Sequence, residues 1–417
     1  MDPAGEPERK TLRGALPELP LYYVLVGLYF FAFGMQFVLF PSIVAFFLGA
    51  TPEGLGLAQS ALSAPMFCLL LFGGLLAERA KAGPTLAKLH LVFAFASIAL
   101  ATIIASGALT YPILIGYAVL VGGCAAFMMP VRDAALNGVV ERQAKRGHTT
   151  PIATAATITT AVQIGAQIAG ILVARFAGVH PAPFLALQAV VLAMGAAVSL
   201  GIQAPKPTGH ERTLAGALND IREGVIYSFR TPLMSSMLIS AAYMGVFVIG
   251  SFQVLFPLIV RESYNGGSSE LGVLFACFWG AAFVSAVLLS RLKPLRRPGR
   301  AMLFSHLISA CALMSFALHK PFWAFGAIVA IWGFAAGVAM STSRTITQSA
   351  TEPRYLGRVL AVYSMGFMGG APLGSIIVGF AASELGPRTA ALIPGAGLTL
   401  AAIALAFLTP LWRYKTR

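Results

Sequence analysis

Charge is what this sequence has least of. Asp, Glu, Lys and Arg make up 11% of its 417 residues, against about 25% in a soluble globular protein. So few charges cannot clothe a water-facing surface of this size. That excludes a soluble enzyme and a soluble nucleic-acid-binding domain, although the net charge is +14. Cysteine is equally sparse. Cys68, Cys124, Cys277 and Cys311 lie singly inside apolar runs, which excludes a disulfide framework and a thiolate metal site. No two histidines have metal-ligand spacing and no Gly-rich loop resembles a phosphate cradle. No cofactor is expected, and ATP-driven work would need a separate partner. A cleavable leader is not expected either, because MDPAGEPERK is polar and of mixed charge.

What the chain has instead is long uncharged runs. Asp, Glu, Lys and Arg are absent from 19–52, 54–77, 89–131, 147–174, 176–205, 231–260, 271–290, 301–319, 321–343, 359–383 and 389–412. A helix needs about 20 apolar residues to cross the hydrocarbon layer. The run 89–131 has room for two crossings with a turn at Gly107–Pro112. The expectation is an all-α membrane protein of 12 transmembrane helices. Placing both termini in the cytoplasm puts 25 of the 29 Lys and Arg on that side, leaving only Arg175, Arg261, Lys320 and Arg388 outside. Anionic lipid headgroups are the expected partner of this basic face.

The phrase VLFPSIV at Val38–Val44 returns as VLFPLIV at Val254–Val260, 216 residues later. Held at that offset, Gly34–Ala96 matches Gly250–Ala312 at 16 of 63 positions, including Gly56 with Gly272, Gly83 with Gly299 and His90 with His306. The chain therefore reads as two homologous six-span halves, 1–202 and 231–417, joined by a polar cytoplasmic linker at 203–230. Parallel repeats of this kind imply a pseudo-two-fold axis along the membrane normal, with a binding site between the halves. Pro41 and Pro257 hold equivalent places in the first span of each half, as fixed packing kinks or as moving hinges.

No Asp or Glu lies in the middle of any span. A buried acid is what a cation would need to offset its lost hydration, so a neutral or anionic amphipathic substrate is expected. Candidate cavity-facing side chains are Gln36, Tyr243, Gln253, Trp279 and Trp332, with Gln163 and Gln167 one helical turn apart. Each has an alternative role as interhelical glue. Arg132 and Arg344 end spans four and ten as the deepest positive charges.

Twelve spans in parallel halves resemble the major facilitator superfamily, over nearly the whole chain. GGLLAERAKAG (Gly73–Gly83) resembles its signature after span two, with Glu78 for the usual Asp, Arg79 kept and the following basic pair lost. PVRDAALNGVV (Pro130–Val140) and the run Arg354–Arg388 resemble the bacterial branch that includes enterobactin exporters and macrolide-efflux proteins. Span five has Gly165-Ala-Gln-Ile-Ala-Gly170 where antiporters carry Gly-Pro-x-x-Gly-Gly. The proline stands instead at Pro372, in the corresponding GGAPLG of span eleven and a third candidate hinge.

The resemblance implies a secondary transporter of the bacterial inner membrane, monomeric, rocking one half against the other, an exporter with an importer or facilitator as the alternative. A non-transporting membrane protein is the remaining alternative. It also implies an inner gate in which Glu78 meets Arg132 near Gly357 and Arg358, with Asp133 as a competing partner and Glu352 as the nearest acid to Arg344. Protons as coupling ion would have to use Asp133, Glu78, or His90 and His306.

Overall fold

The computed structural model describes residues 18–145, 150–178, 180–202, 214–292, 295–352 and 355–415. Thirteen principal helices account for them: α1 (Glu18–Phe47), α2 (Pro52–Arg79), α3 (Ala82–Ala105), α4 (Tyr111–Lys145), α5 (Ile152–Ala174), α6 (Pro181–Leu200), α7 (Leu214–Arg230), α8 (Pro232–Tyr264), α9 (Ser268–Arg291), α10 (Pro298–Ser315), α11 (Phe322–Ala350), α12 (Leu356–Leu385) and α13 (Pro387–Leu408). No strand occurs among the described residues. Eleven of these helices are long and apolar enough to cross a membrane. The two others are the linker helix α7 and α10, which has 18 residues and packs on α11 and α13. Large apolar side chains such as Phe95, Phe176, Trp323 and Phe407 stand exposed on the outer surface, as lipid-facing residues do and water-facing ones do not.

Without a hydrophobic drive between helices in lipid, close packing depends on small residues that let backbones approach. The glycines matched by the repeat do this in matched ways. A methyl group on Gly34 would collide with the Gln167 carbonyl of α5, and one on Gly250 with the Gly374 backbone of α12. Gly56 of α2 lies against Ser375 and Gly379 of α12, whereas Gly272 of α9 lies against Arg175 at the end of α5. Gly83 meets the carbonyls of Ser199 in the last turn of α6 and of Ile202 just beyond it, and Gly299 meets Leu411 beyond α13. α1, α2 and α3 thus each find the partner whose counterpart their own counterpart finds.

The prolines are less symmetric than expected. Pro41 lies inside α1, directly ahead of a π-helical turn at Ile43–Phe47. A proline leaves the carbonyl four residues before it, here Phe37, without its helical donor, so the π turn is a second irregularity on the other side of Pro41. The π turn of α8 spans Gly245–Ile249, ahead of Pro257 rather than after it. There it coincides with the glycine contact between α8 and α12, so the same helix is broken at different heights in the two halves. Pro372 is buried inside α12 between Gly370 and Gly374.

One end of the molecule carries Glu18, α7 and Trp412 and is called here the linker side; the other is the distal side. The distal side is tightly tied. Arg261 Nη1 donates to the carbonyls of Ala45 (3.1 Å) and Ala50 (2.7 Å) at the end of α1. Arg388 donates to the carbonyls of Phe316 and Leu318, and Lys320 to that of Ser315. Arg175 packs over Phe176 and its carbonyl accepts from Ser268. The four basic residues that break the charge rule therefore all have local roles. Three of them cap helix C-terminal carbonyls, where positive charge is favoured.

Candidate functional site

α2 and α12 run together from Gly56 and Gly379 on the distal side to Phe67 and Gly369 near the middle. Beyond that point they part. The space between them is a cavity of about 660 Å³ lined by Leu70, Gly74, Met129, Asp133, Asp220, Arg358, Met365 and Met368 among others. A smaller cavity of about 90 Å³ lies next along α2, which offers Gln59, Ser63 and Met66, while α4 offers Gly122 and Ala125. Phe33, Gln36, Phe37 and the hinge candidate Pro41 of α1, Gln253 of α8 and Phe275 of α9 also line it. This inner cavity contains amides, one hydroxyl and apolar groups, and none of its lining residues is charged.

Gln36 is 4% exposed and held by a buried network. Gln188 Nε2 donates to the Ala32 carbonyl (2.9 Å) and to Gln36 Oε1 (3.1 Å), and Tyr117 Oη donates to the same Oε1 (2.8 Å). Ser97 Oγ donates to Gln188 Oε1 at 3.3 Å. The Ala32 carbonyl fixes which way the Gln188 amide points, and that in turn fixes Gln36. Across the cavity, Gln59 Nε2 donates to the Gln253 backbone carbonyl at 3.3 Å, joining α2 to α8.

The mouth of the larger cavity is a set of ion pairs. Arg132 is buried and bonds Asp133 through Nε (3.1 Å) and Nη2 (2.7 Å). Its guanidinium lies 4.8 Å from the Phe30 ring centroid, and its carbonyl accepts from Tyr22 Oη. The expected mate Glu78 stands in the last turn of α2, but its side chain lies outside the described residues; Arg79 beside it is exposed. Arg358 bonds Asp220 and Glu223 of the linker helix, each at 2.7 Å. The stacked rings of Tyr227 and Tyr355, 4.4 Å between centroids, fasten α7 to the start of α12 just beside them. The expectation that Arg358 belongs with Arg132 did not foresee this. The linker carboxylates were visible in the sequence, but nothing local says that the linker is a helix folded against α12.

The other expected residues fall in three places. Trp279 packs on Phe37 of the inner cavity wall, with ring centroids 6.0 Å apart. Trp332 is fully buried among Phe252, Phe256, Phe278 and Phe316, away from the cavity lining. Tyr243 is buried against His306, Oη to Nδ1 2.5 Å, while His90 bonds the Leu86 carbonyl at 2.8 Å. Gln167 is buried at the α1–α5 contact and Gln163 half-buried one turn before it, and neither lines the cavity. Arg344 is exposed, as is Glu352, whose backbone N–H donates to Tyr227 Oη. Arg132 and Arg344 are therefore not a matched pair in depth. Gln59, Tyr117 and Gln188 were not singled out from sequence, because a lone polar residue in an apolar run does not reveal its facing helix.

Residues 42–415 match the model of a family described as transmembrane secretion effectors. The enterobactin exporter EntS of Shigella boydii serotype 18 is 26% identical over 211 residues, covering 50% of this chain and 48% of that protein. EntS of Salmonella typhi is 26% identical over 184 residues, covering 43% and 44%. The chain thus aligns with about half the length of these curated relatives. Among solved structures, the nucleoside transporter NupG superimposes with a TM-score of 0.75 at 14% identity, covering 96% of this chain and 100% of that one. A bacterial homologue of the lysosomal transporter Spinster gives 0.71 at 15% identity, covering 95% and 97%. With its helical architecture matching theirs and the family model spanning most of its length, this chain belongs to the transmembrane secretion effector family of major facilitator superfamily transporters.

Proposed function

We propose that this protein exports a neutral or anionic amphipathic small molecule across the bacterial inner membrane by alternating access. It does so as twelve spans in two bundles, 1–202 and 231–417, joined by the linker 203–230. With the linker side in the cytoplasm, as the basic residues favour, the closed distal side and parted α2 and α12 correspond to the state that loads from the cytoplasm. The carrying observation is the pair of cavities along α2, the larger one between α2 and α12 with methionines inside a rim of ion pairs, the smaller one beyond it without a charged lining residue. Such a wall suits an amphipathic molecule and offers nothing to offset the lost hydration of a cation. The likeness to enterobactin exporters supports the outward direction. The arginines add less anion attraction than their number suggests, since Arg132 and Arg358 are already paired with carboxylates. Asp133, with 68% of its side chain exposed in the mouth, is the proton carrier best placed for coupling.

Inside-out vesicles test this reading. Saturable uptake of neutral lipophilic compounds or siderophores, above that of vesicles lacking the protein, is expected, and dissipating a pH gradient should slow it. No uptake of any compound in the panel contradicts the exporter reading.

A further inference from the structure

Gln36 has one face spent and one face spare. Its Oε1 already accepts two hydrogen bonds, from Tyr117 and Gln188. Its Nε2 is buried and has no partner, though a side-chain amide nitrogen carries two donors. The side chain lines the inner cavity. Because the Ala32 carbonyl holds Gln188 Nε2 toward Gln36, rotating the Gln36 amide would set that donor against Gln36 Nε2 and lose the bond. The cavity wall therefore holds a fixed, unspent N–H donor. A buried donor left unmade costs more than a typical net hydrogen bond gains, so this position favours a group that can accept.

The kind of acceptor follows from the rest of the wall. Gln253 brings a second unpartnered buried atom, its amide oxygen Oε1. A carboxylate would face that oxygen with like partial charge and find no cation among the lining residues. An ammonium group would meet the Gln36 donor. We infer that the inner cavity recognises the head of the transported molecule as an uncharged carbonyl-type acceptor, such as a lactam, lactone or amide, held by Gln36 Nε2. The tail would then lie in the larger cavity. This rests on the transport reading above and deepens it by naming the group that Gln36 selects.

Three compounds with one skeleton separate the possibilities: N-octyl-2-pyrrolidone, which carries the carbonyl; N-octylpyrrole, neutral without it; and N-octylpyrrolidine, protonated at neutral pH. Saturable binding to the full chain in lipid nanodiscs is measured by equilibrium dialysis of the radiolabelled compounds against empty nanodiscs. The pyrrolidone is expected to bind about tenfold more tightly than the pyrrole, and the pyrrolidinium not measurably. Gln36→Leu should bring pyrrolidone and pyrrole to equal affinity. Should that variant fail to fold, Tyr117→Phe serves instead: it removes one of the two bonds that orient the amide and should reduce the preference at least threefold. Equal binding of pyrrolidone and pyrrole to the wild type, as expected if the donor serves only a bound water, overturns the inference. So does failure of all three to bind, or a preference that survives Gln36→Leu. None of these results bears on vesicle uptake, so a failure here and a failure of the exporter reading are distinguishable.

Discussion

Arg261 donates a hydrogen bond to the carbonyl of Ala45, the residue that stands at Arg261's own place in the other repeat, 216 positions earlier. Two equivalent residues touch in this way only where the axis relating the halves passes between them, as in any isologous contact. An arginine in both repeats would set two guanidinium groups against each other on that axis. Only one half can supply the tie, and the other supplies the carbonyls.

The tie should move from one half to the other. Hydrogen bonds to a charged group contribute about 1.5–3 kcal/mol each, so Arg261→Ala should shift the balance toward distal opening by tenfold or more. The readout is alkylation of a cysteine at Ser375, buried beside Gly56, in a chain whose native cysteines are replaced. Ala45→Arg alone should also raise alkylation, through like-charge repulsion. The double variant Ala45→Arg with Arg261→Ala should fall back toward the wild-type rate. A double variant as reactive as the worse single one contradicts the axis assignment.

The linker helix is held by Arg358. Its bonds to Asp220 and Glu223 are partly exposed, so each contributes about 0.5–1 kcal/mol after solvent screening. Asp220→Asn with Glu223→Gln should speed amide exchange in Leu214–Arg230 by about tenfold while leaving exchange in α12 unchanged. Unchanged exchange in α7 would assign its attachment to the Tyr227–Tyr355 stack alone.

At the mouth of the larger cavity, Arg132 is paired with Asp133. If it passes to Glu78 when the linker side closes, transport losses from Glu78→Gln and Arg132→Gln should be non-additive, the double variant losing little more than Arg132→Gln alone. Asp133→Asn should leave the buried guanidinium short of a partner and slow transport at least tenfold. Additive losses for Glu78 and Arg132 would separate their roles.

Orientation has its own check. Cysteines at Asn219 on α7 and at Gly266 on the distal side, in the cysteine-free chain, should respond oppositely to an impermeant thiol reagent in intact cells. Only the one at Gly266 should react. The reverse pattern would turn the protein over in the membrane and make the open cavity face outward.

The helices and the repeat were legible because both are written in regular spacing. Uncharged runs mark nearly every helix, and Gly34, Gly56 and Gly83 recur at a constant offset because a matched backbone contact tolerates no side chain. The central pair Gln36 and Gln253 could be nominated because polar groups are rare there. What the sequence could not convey is which way an amide points and which helix faces it. Trp332 and Tyr243 look as available as Gln36 until the facing helices bury one among phenylalanines and tie the other to His306. The same limit hid α7, whose acids pair with an arginine 135 and 138 residues away.

The most direct test of the central claim is the charge of what is carried. In proteoliposomes oriented to load from the linker side, a neutral amphipathic compound and tetraphenylphosphonium should be compared at equal concentration. A cation entering the inner cavity loses hydration and meets no fixed negative group there. The account predicts saturable transport of the neutral compound and none of tetraphenylphosphonium. Saturable transport of tetraphenylphosphonium that survives Glu78→Gln and Asp133→Asn would contradict it.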